Sequence, residues 1–215
     1  MSFENFTLPN GEKVEFDAES HIYTVRGVTV PSITQLLERA YGNHLQFVDP
    51  EVVERAAIYG TKVHKEIQDL IELQQLGIDI EPFLEKSTQE TCNYFKIVAP
   101  VYKIKPLYTE IVVVLYDKEQ QPIAAGRFDL AAENLETHRK GLCDFKTTTS
   151  LNLKLVSDQL NLYKIACEQS GYFQKGEITE LAAIHLSGLT CRLRPIRIFQ
   201  EAFYEKYIQI AKQNN

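Results

Sequence analysis

The stretch Leu142-Cys143-Asp144-Phe145-Lys146-Thr147-Thr148, LCDFKTT, ends an apolar run with a carboxylate and then, one residue on, an amine. It reads as a β-strand over Lys140 to Thr148. Alternate side chains of a strand share a face, so Asp144 and Lys146 point the same way. A charge in so apolar a run is costly unless it is partnered or holds a metal. Two readings stay open on these residues alone. One is a modest ion pair; the other is two parts of a metal-dependent phosphodiester site.

Working outward, LYTEIVVVLYD (Leu107 to Asp117) and PIAAGRFDLAAE (Pro122 to Glu133) precede this strand, with polar turns between them. Together they predict a three-stranded meander. KLVSDQLNLYKIACEQ (Lys154 to Gln169) returns to helical spacing. ITELAAIHL and CRLRPIRIF predict a hairpin around Ser187-Gly188, and QEAFYEKYIQIAKQ a last helix.

On the N-terminal side, HIYTVRGVTV (His21 to Val30) predicts a hairpin around Arg26-Gly27. Ser32 and Gln35 are spaced as a capping box for a short helix, ITQLLERA. Asp49-Pro50 opens a long helix to about Leu76. Val53, Ala56, Ala57, Gly60, Val63, His64, Ile67 and Ile71 recur at three and four and predict one buried stripe. A second helical stretch is expected near Ser87 to Val98. The order predicts an α/β class: a central mixed β-sheet flanked by helices. One domain is expected over residues 1–215, with the hairpin and helix of about residues 1–48 as an accessory element.

Composition narrows the classes. The 215 residues are 44% hydrophobic, enough for one sizeable core. The polar N-terminus lacks a secretory h-region, and no apolar run approaches a membrane span. Cys92, Cys143, Cys167 and Cys191 are far apart and form no CxxC. A disulfide framework and structural zinc are therefore not expected, and a cytoplasmic location is. The net charge of −6, from 23 basic and 29 acidic residues, is not that of a protein that binds nucleic acid through bulk charge. A cation held by acidic groups still offers a phosphate site.

Several residues have both a structural and a chemical reading. His64 lies on the helical stripe, as a core histidine or a ligand. Gly60, four residues earlier, costs a helix about 1 kcal/mol and so suggests close approach of another group. Asp129 interrupts an apolar strand. Simple alternation puts Phe128 and Leu130 on one face and Ala125, Arg127, Asp129 and Ala131 on the other, with Gly126 marking a bulge on the bland reading and the small alanines leaving room for a crevice on the other. Glu110 is either an edge charge or an extra acidic group near a site. Gln159 and Tyr163 are four apart on a helix, as a surface pair or as groups that need polar partners.

In order, the chain carries Gly60-x-x-x-His64, Gly126-x-x-Asp129, Asp144-x-Lys146 and Gln159-x-x-x-Tyr163. This series resembles the PD-(D/E)XK nuclease superfamily, in particular its RecB-like and lambda-exonuclease-like phage or prophage exonucleases. The likeness covers about Tyr59 to Ala166, and HIYTVRGVTVPSITQLL resembles the opening of such exonucleases. It implies a restriction-endonuclease-like core and Mg²⁺ or Mn²⁺ held by His64, Asp129, Asp144 and the carbonyl of Phe145. It further implies Lys146, with Asp144 and Asp129, as catalytic groups, and Glu110 near a water or a second metal. Gln159, Tyr163 and Thr147 would meet DNA. No iron–sulfur cluster is expected, because the cysteines do not fit that arrangement. The implied activity is exonucleolytic, on double-stranded DNA ends, in phage-type recombination with a single-strand annealing recombinase as partner and with a homo-oligomer allowed. A non-cleaving binding module on the same fold and a site-specific endonuclease stand as alternatives.

Overall fold

The computed structural model describes residues 3–42, 48–188, 190–200 and 202–213. The predicted meander forms β5 (Ile104–Tyr116), β6 (Pro122–Asn134) and β7 (Lys140–Lys146), paired antiparallel. Helix α6 (Leu153–Gln169) then crosses over, and β8 (Ile178–Ser187) joins β7 in parallel. A parallel step needs such a crossover because a tight turn cannot reverse the chain twice. β9 (Thr190–Ile196) closes the sheet antiparallel, in the order β5-β6-β7-β8-β9. The class is α/β, a mixed sheet flanked by helices. The turn after Ser187-Gly188 contains Leu189, outside the described residues. Glu201, at the expected start of the last helix, lies outside them too; α7 is Ala202–Lys212.

One face of the sheet packs under α6, α7 and α1 (Ile33–Tyr41), around Phe128, Ala131, Leu142 and Ala183. The other face is divided. Val63, Ile67 and Ile71 of α2 (Pro50–Gln75), with Tyr94 and Val98, cover Leu130, Ala132, Cys143 and Phe145. An N-terminal sheet covers Val112, Val114 and Ala125 with Val14, Tyr23 and Val25. Each large apolar side chain buried this way contributes about 1.5–3 kcal/mol. The two coverings meet over the middle of β5 and β6, and the candidate site lies at that seam.

The accessory element is larger than a hairpin and a helix. β1 (Phe3–Thr7), β2 (Lys13–Asp17), β3 (Ile22–Val25) and β4 (Val28–Val30) form a four-stranded antiparallel sheet. Arg26 and Gly27, both at positive φ (53° and 73°), make the tight turn between β3 and β4. Ser32 caps α1 with the expected box to Gln35. Residues 43–47, also within that element, lie outside the described residues.

Helix α2 starts at Pro50 behind the Asp49 cap, as expected, but its stripe is buried only in the second half. Val53 is half-buried, and Ala56 and Ala57 are exposed. The buried half is the part that lies over Leu130, Ala132, Cys143 and Phe145. Periodicity marks a face; it does not say which part of that face finds a partner. The second helical stretch is α4 (Gln89–Asn93), a π-helical turn at Tyr94–Val98 and α5 (Ala99–Val101). A short helix, α3 (Glu81–Leu84), precedes it unpredicted. Among the described residues no helix is long and apolar enough to cross a membrane.

Candidate metal centre

β6 breaks its alternation at Asp129. Phe128 and Ala131 both pack under α6, while Leu130 and Ala132 pack under α2. The simple two-face reading of this strand is therefore corrected: Phe128 and Leu130 do not share a face. A period of two holds only along an unbroken ladder. The register explains the break. Thr109 pairs with Leu130 and Ile111 with Phe128, which leaves Glu110 opposite Asp129. Glu110 has φ 52°, a left-handed backbone that a glutamate adopts only under constraint. Such strain, of order 1 kcal/mol or more, collects at functional sites.

Donor atoms of His64, Glu110 and Asp129 all lie within 4.8 Å of one another. Ligands on opposite sides of one octahedral Mg²⁺ are about 4 Å apart, so the set is of a size to hold a cation. His64 Nδ1 is 3.4 Å from Asp129 Oδ1. The Phe145 N–H donates to Asp129 Oδ2 at 2.6 Å, which ties β6 to the strand position beside Asp144. Asp144 is buried outside the three-residue group. Its Oδ2 is 2.6 Å from Lys146 Nζ, an ion pair that occupies this buried oxygen. Lys146 Nζ in turn donates to Gln159 Oε1 at 3.3 Å. The ion-pair reading of Asp144-x-Lys146 is thus met, and Asp129 is close enough to act on the charge of both groups.

The two motif glycines are spacers. A Cβ on Gly60 would sit 3.2 Å from Thr147 Oγ1, so its absence lets α2 bring His64 down onto the end of β7. A Cβ on Gly126 would sit 3.0 Å from Tyr163 Cε1. Gly126 pairs in register with Val113, so it makes room for a ring rather than a bulge. Tyr163 is only 4% exposed and packs edge-on to Phe128. It reaches the site through Gln159 and presents no surface to a ligand, which corrects its expected place as a DNA contact. Half-buried Thr147 and Gln159 keep some access.

The electrostatics follow from these contacts. Burial works against a protonated His64, but the Asp129 carboxylate outweighs it and lifts its pKa to about 9. Burial pushes Asp129 up, and His64, Lys146 and the Phe145 N–H pull it below the usual range. Burial dominates at Asp144, which rises despite Lys146. Burial opposes the charge on Lys146, yet Asp144 and Asp129 raise its pKa. Burial and then Asp129 push Glu110 up to about 7. Three acidic groups thus crowd a site whose cations are one imidazolium and one ammonium. Such a field favours a divalent ion. The side chains of His64 and Asp129 keep 26% and 13% of their surface exposed, so solvent reaches them.

One supporting residue was not legible in the sequence. His185, opposite Lys146 in the parallel β7–β8 register, meets the Thr148 carbonyl through Nε2 at 2.6 Å. It fixes the loop that leaves the site. Nothing in the local spacing marks it, because the parallel register depends on the crossover.

No protein-family model matches this chain. No curated protein matches it either. Among solved structures, one described as "Crystal structure of SSO0001" aligns with 85% of this chain and 85% of its own at 13% sequence identity, with a TM-score of 0.41. A likeness that loose carries no weight for function.

Proposed function

We propose that this chain is a metal-dependent DNA exonuclease of the PD-(D/E)XK type, with a restriction-endonuclease-like core, that hydrolyses phosphodiester bonds at double-stranded ends. The observation that supports this most is convergence. His64 from α2, Asp129 from the middle of β6, and Asp144 and Lys146 from the C-terminal end of β7 meet, joined through the Asp129–Phe145 hydrogen bond.

His64, Asp129, Asp144 and the Phe145 carbonyl would hold Mg²⁺ or Mn²⁺, and Glu110 stands where it adds a further carboxylate. A bound divalent ion supplies Lewis-acid polarisation of the scissile phosphate and acidifies nearby water. Lys146 presents its ammonium to the charge that builds on the phosphate as the water oxygen bonds to phosphorus and the ester oxygen leaves. Gln159 accepts from Lys146 and so fixes where that ammonium points. Thr147 and Gln159 are the groups placed to meet the DNA backbone. The same reading carries phage-type recombination in the cytoplasm, beside a single-strand annealing recombinase, and allows a homo-oligomer.

The test is a time course on end-labelled duplex with Mg²⁺, with Mn²⁺ and with chelator, beside a covalently closed circle. Metal-dependent loss of the linear duplex alone is expected, abolished by Asp144→Ala or Lys146→Ala. Digestion of the circle would make the chain an endonuclease. Full activity in both variants, or none in the parent with any divalent ion, would overturn the proposal.

A further inference from the structure

On α6, Asp158 follows Val156 and Ser157 and directly precedes Gln159, yet it turns about 100° away from it around the helix axis. Gln159 meets Lys146. Asp158 is 5% exposed and accepts hydrogen bonds from the hydroxyls of Tyr41, at the end of α1, and Tyr207, on α7. This buried carboxylate locks three helices together. The ring it anchors carries charge. The Lys154 ammonium lies 5.0 Å from the Tyr41 ring centroid and the Lys206 ammonium 4.8 Å from it. Asn161, one turn beyond Asp158, donates to the Arg197 carbonyl at 2.9 Å and accepts from the Phe199 N–H at 2.7 Å, holding that segment against α6. Tyr41, Asp158, Arg197 and Lys206 line one open cavity of about 500 Å³.

Lys154, Arg197 and Lys206 are exposed, and none pairs with a carboxylate among the described residues. The buried Asp158 carboxylate, held by the two tyrosine hydroxyls, offsets one of these three charges and leaves a local surplus of about two. In a chain of net charge −6, many other basic side chains are matched to acids, as in the pairs Lys65–Asp69, Lys96–Glu81, Lys118–Glu205 and Lys140–Glu177. Two cations at the Tyr41 ring and Arg197 in the same cavity, unmatched among the described residues, therefore form a local positive field that the net charge hides. The field is built for a polyanion with spaced charges. Lysine and arginine point charges suit phosphates, and no hydrogen-bonding pattern here reads a base edge. Tyr41 serves as a post for the ammonium groups rather than as a free stacking face.

We infer that this flank of α6 is a second contact for the DNA backbone, in which Lys154, Arg197 and Lys206 hold phosphates of a strand engaged at the metal centre on the helix's other side. The inference rests on the nuclease reading for the identity of the polyanion. A helix with side chains is about 10–12 Å across, and phosphates recur every 3.4 Å of axis along one strand. The flank would thus meet phosphates roughly three or more positions from the one being cut. The contact carries no sequence information and works through counterion release.

Binding of labelled duplex is measured by anisotropy in EDTA, where no cleavage competes, over a range of salt. The variant Lys154→Gln/Arg197→Gln/Lys206→Gln keeps the side-chain stems and loses the charges. The plot of log affinity against log salt should flatten by up to about 3, at about 0.9 per phosphate contact. A control with Lys13→Gln/Lys86→Gln/Lys103→Gln, three cations elsewhere on the surface, should leave the slope unchanged. An unchanged slope in the first variant, with its melting temperature intact, overturns the inference and points to an acidic protein or to no partner at this flank. Equal flattening in both variants overturns it as well, since binding is then diffuse. The nuclease reading fails separately, on a parent chain that binds duplex with this slope but cuts it with no metal.

Discussion

His64 makes the metal-free chain sensitive to alkali, and the effect can be sized. Its pKa rises from an ordinary 6.5 to about 9 because the Asp129 carboxylate, 3.4 Å away, favours the imidazolium more than burial disfavours it. The folded state therefore binds a proton more tightly than the unfolded chain. The resulting stability is fully present below pH 6.5 and is lost as pH rises through about 9. Two to three units at 1.36 kcal/mol each give roughly 3 kcal/mol. For a chain of this length that is a fall of roughly 6–12 °C in melting temperature. The assay is thermal unfolding in EDTA from pH 6 to 9.5, on the parent and on His64→Gln. The difference between the two proteins isolates this residue from every other titration. It should be largest at pH 6 and shrink toward pH 9. Saturating Mn²⁺ should reverse the trend, because a cation requires the neutral ring and competes with its proton. A difference that stays constant from pH 6.5 to 9 in EDTA would show that His64 does not face Asp129, and the proposed ligand set would go with it.

Glu110→Gln should raise metal-free stability above pH 7 by up to about 3 kcal/mol, two to three units at 1.36 kcal/mol each, because the carboxylate it replaces ionises against burial and Asp129. The same change should weaken Mn²⁺ affinity in calorimetry; a destabilised variant with unaltered affinity would place Glu110 outside the centre. The two glycines should part company under chemical denaturation. Gly126→Ala drives a methyl to 3.0 Å from the buried Tyr163 ring and should cost about 1–3 kcal/mol. Gly60→Ala meets only the Thr147 hydroxyl at 3.2 Å and gains up to about 1 kcal/mol of helix propensity, so its net change should stay within about 1 kcal/mol. Equal losses at both positions would mean that the ring at Gly126 is free to move.

The sequence by itself determined most of the elements and their order, though not β1, β2 or the short helix Glu81–Leu84. Period-two and period-3.6 patterns are local. So are the Ser32–Gln35 box, the Asp49-Pro50 start and the Arg26-Gly27 turn, and all of these appear where the residues put them. Motif order likewise placed His64, Asp129, Asp144 and Lys146 on elements that meet. Tertiary structure decided the rest, because it depends on which strand lies opposite which. Only the β5–β6 register sets Glu110 against Asp129 and exchanges the faces of β6 around it. Only packing against Gly126 turns Tyr163 from a surface group into core. Only packing against β6, β7, Tyr94 and Val98 fixes which part of the α2 face is buried. These are distances between residues far apart in the chain, and a local pattern carries no measure of them.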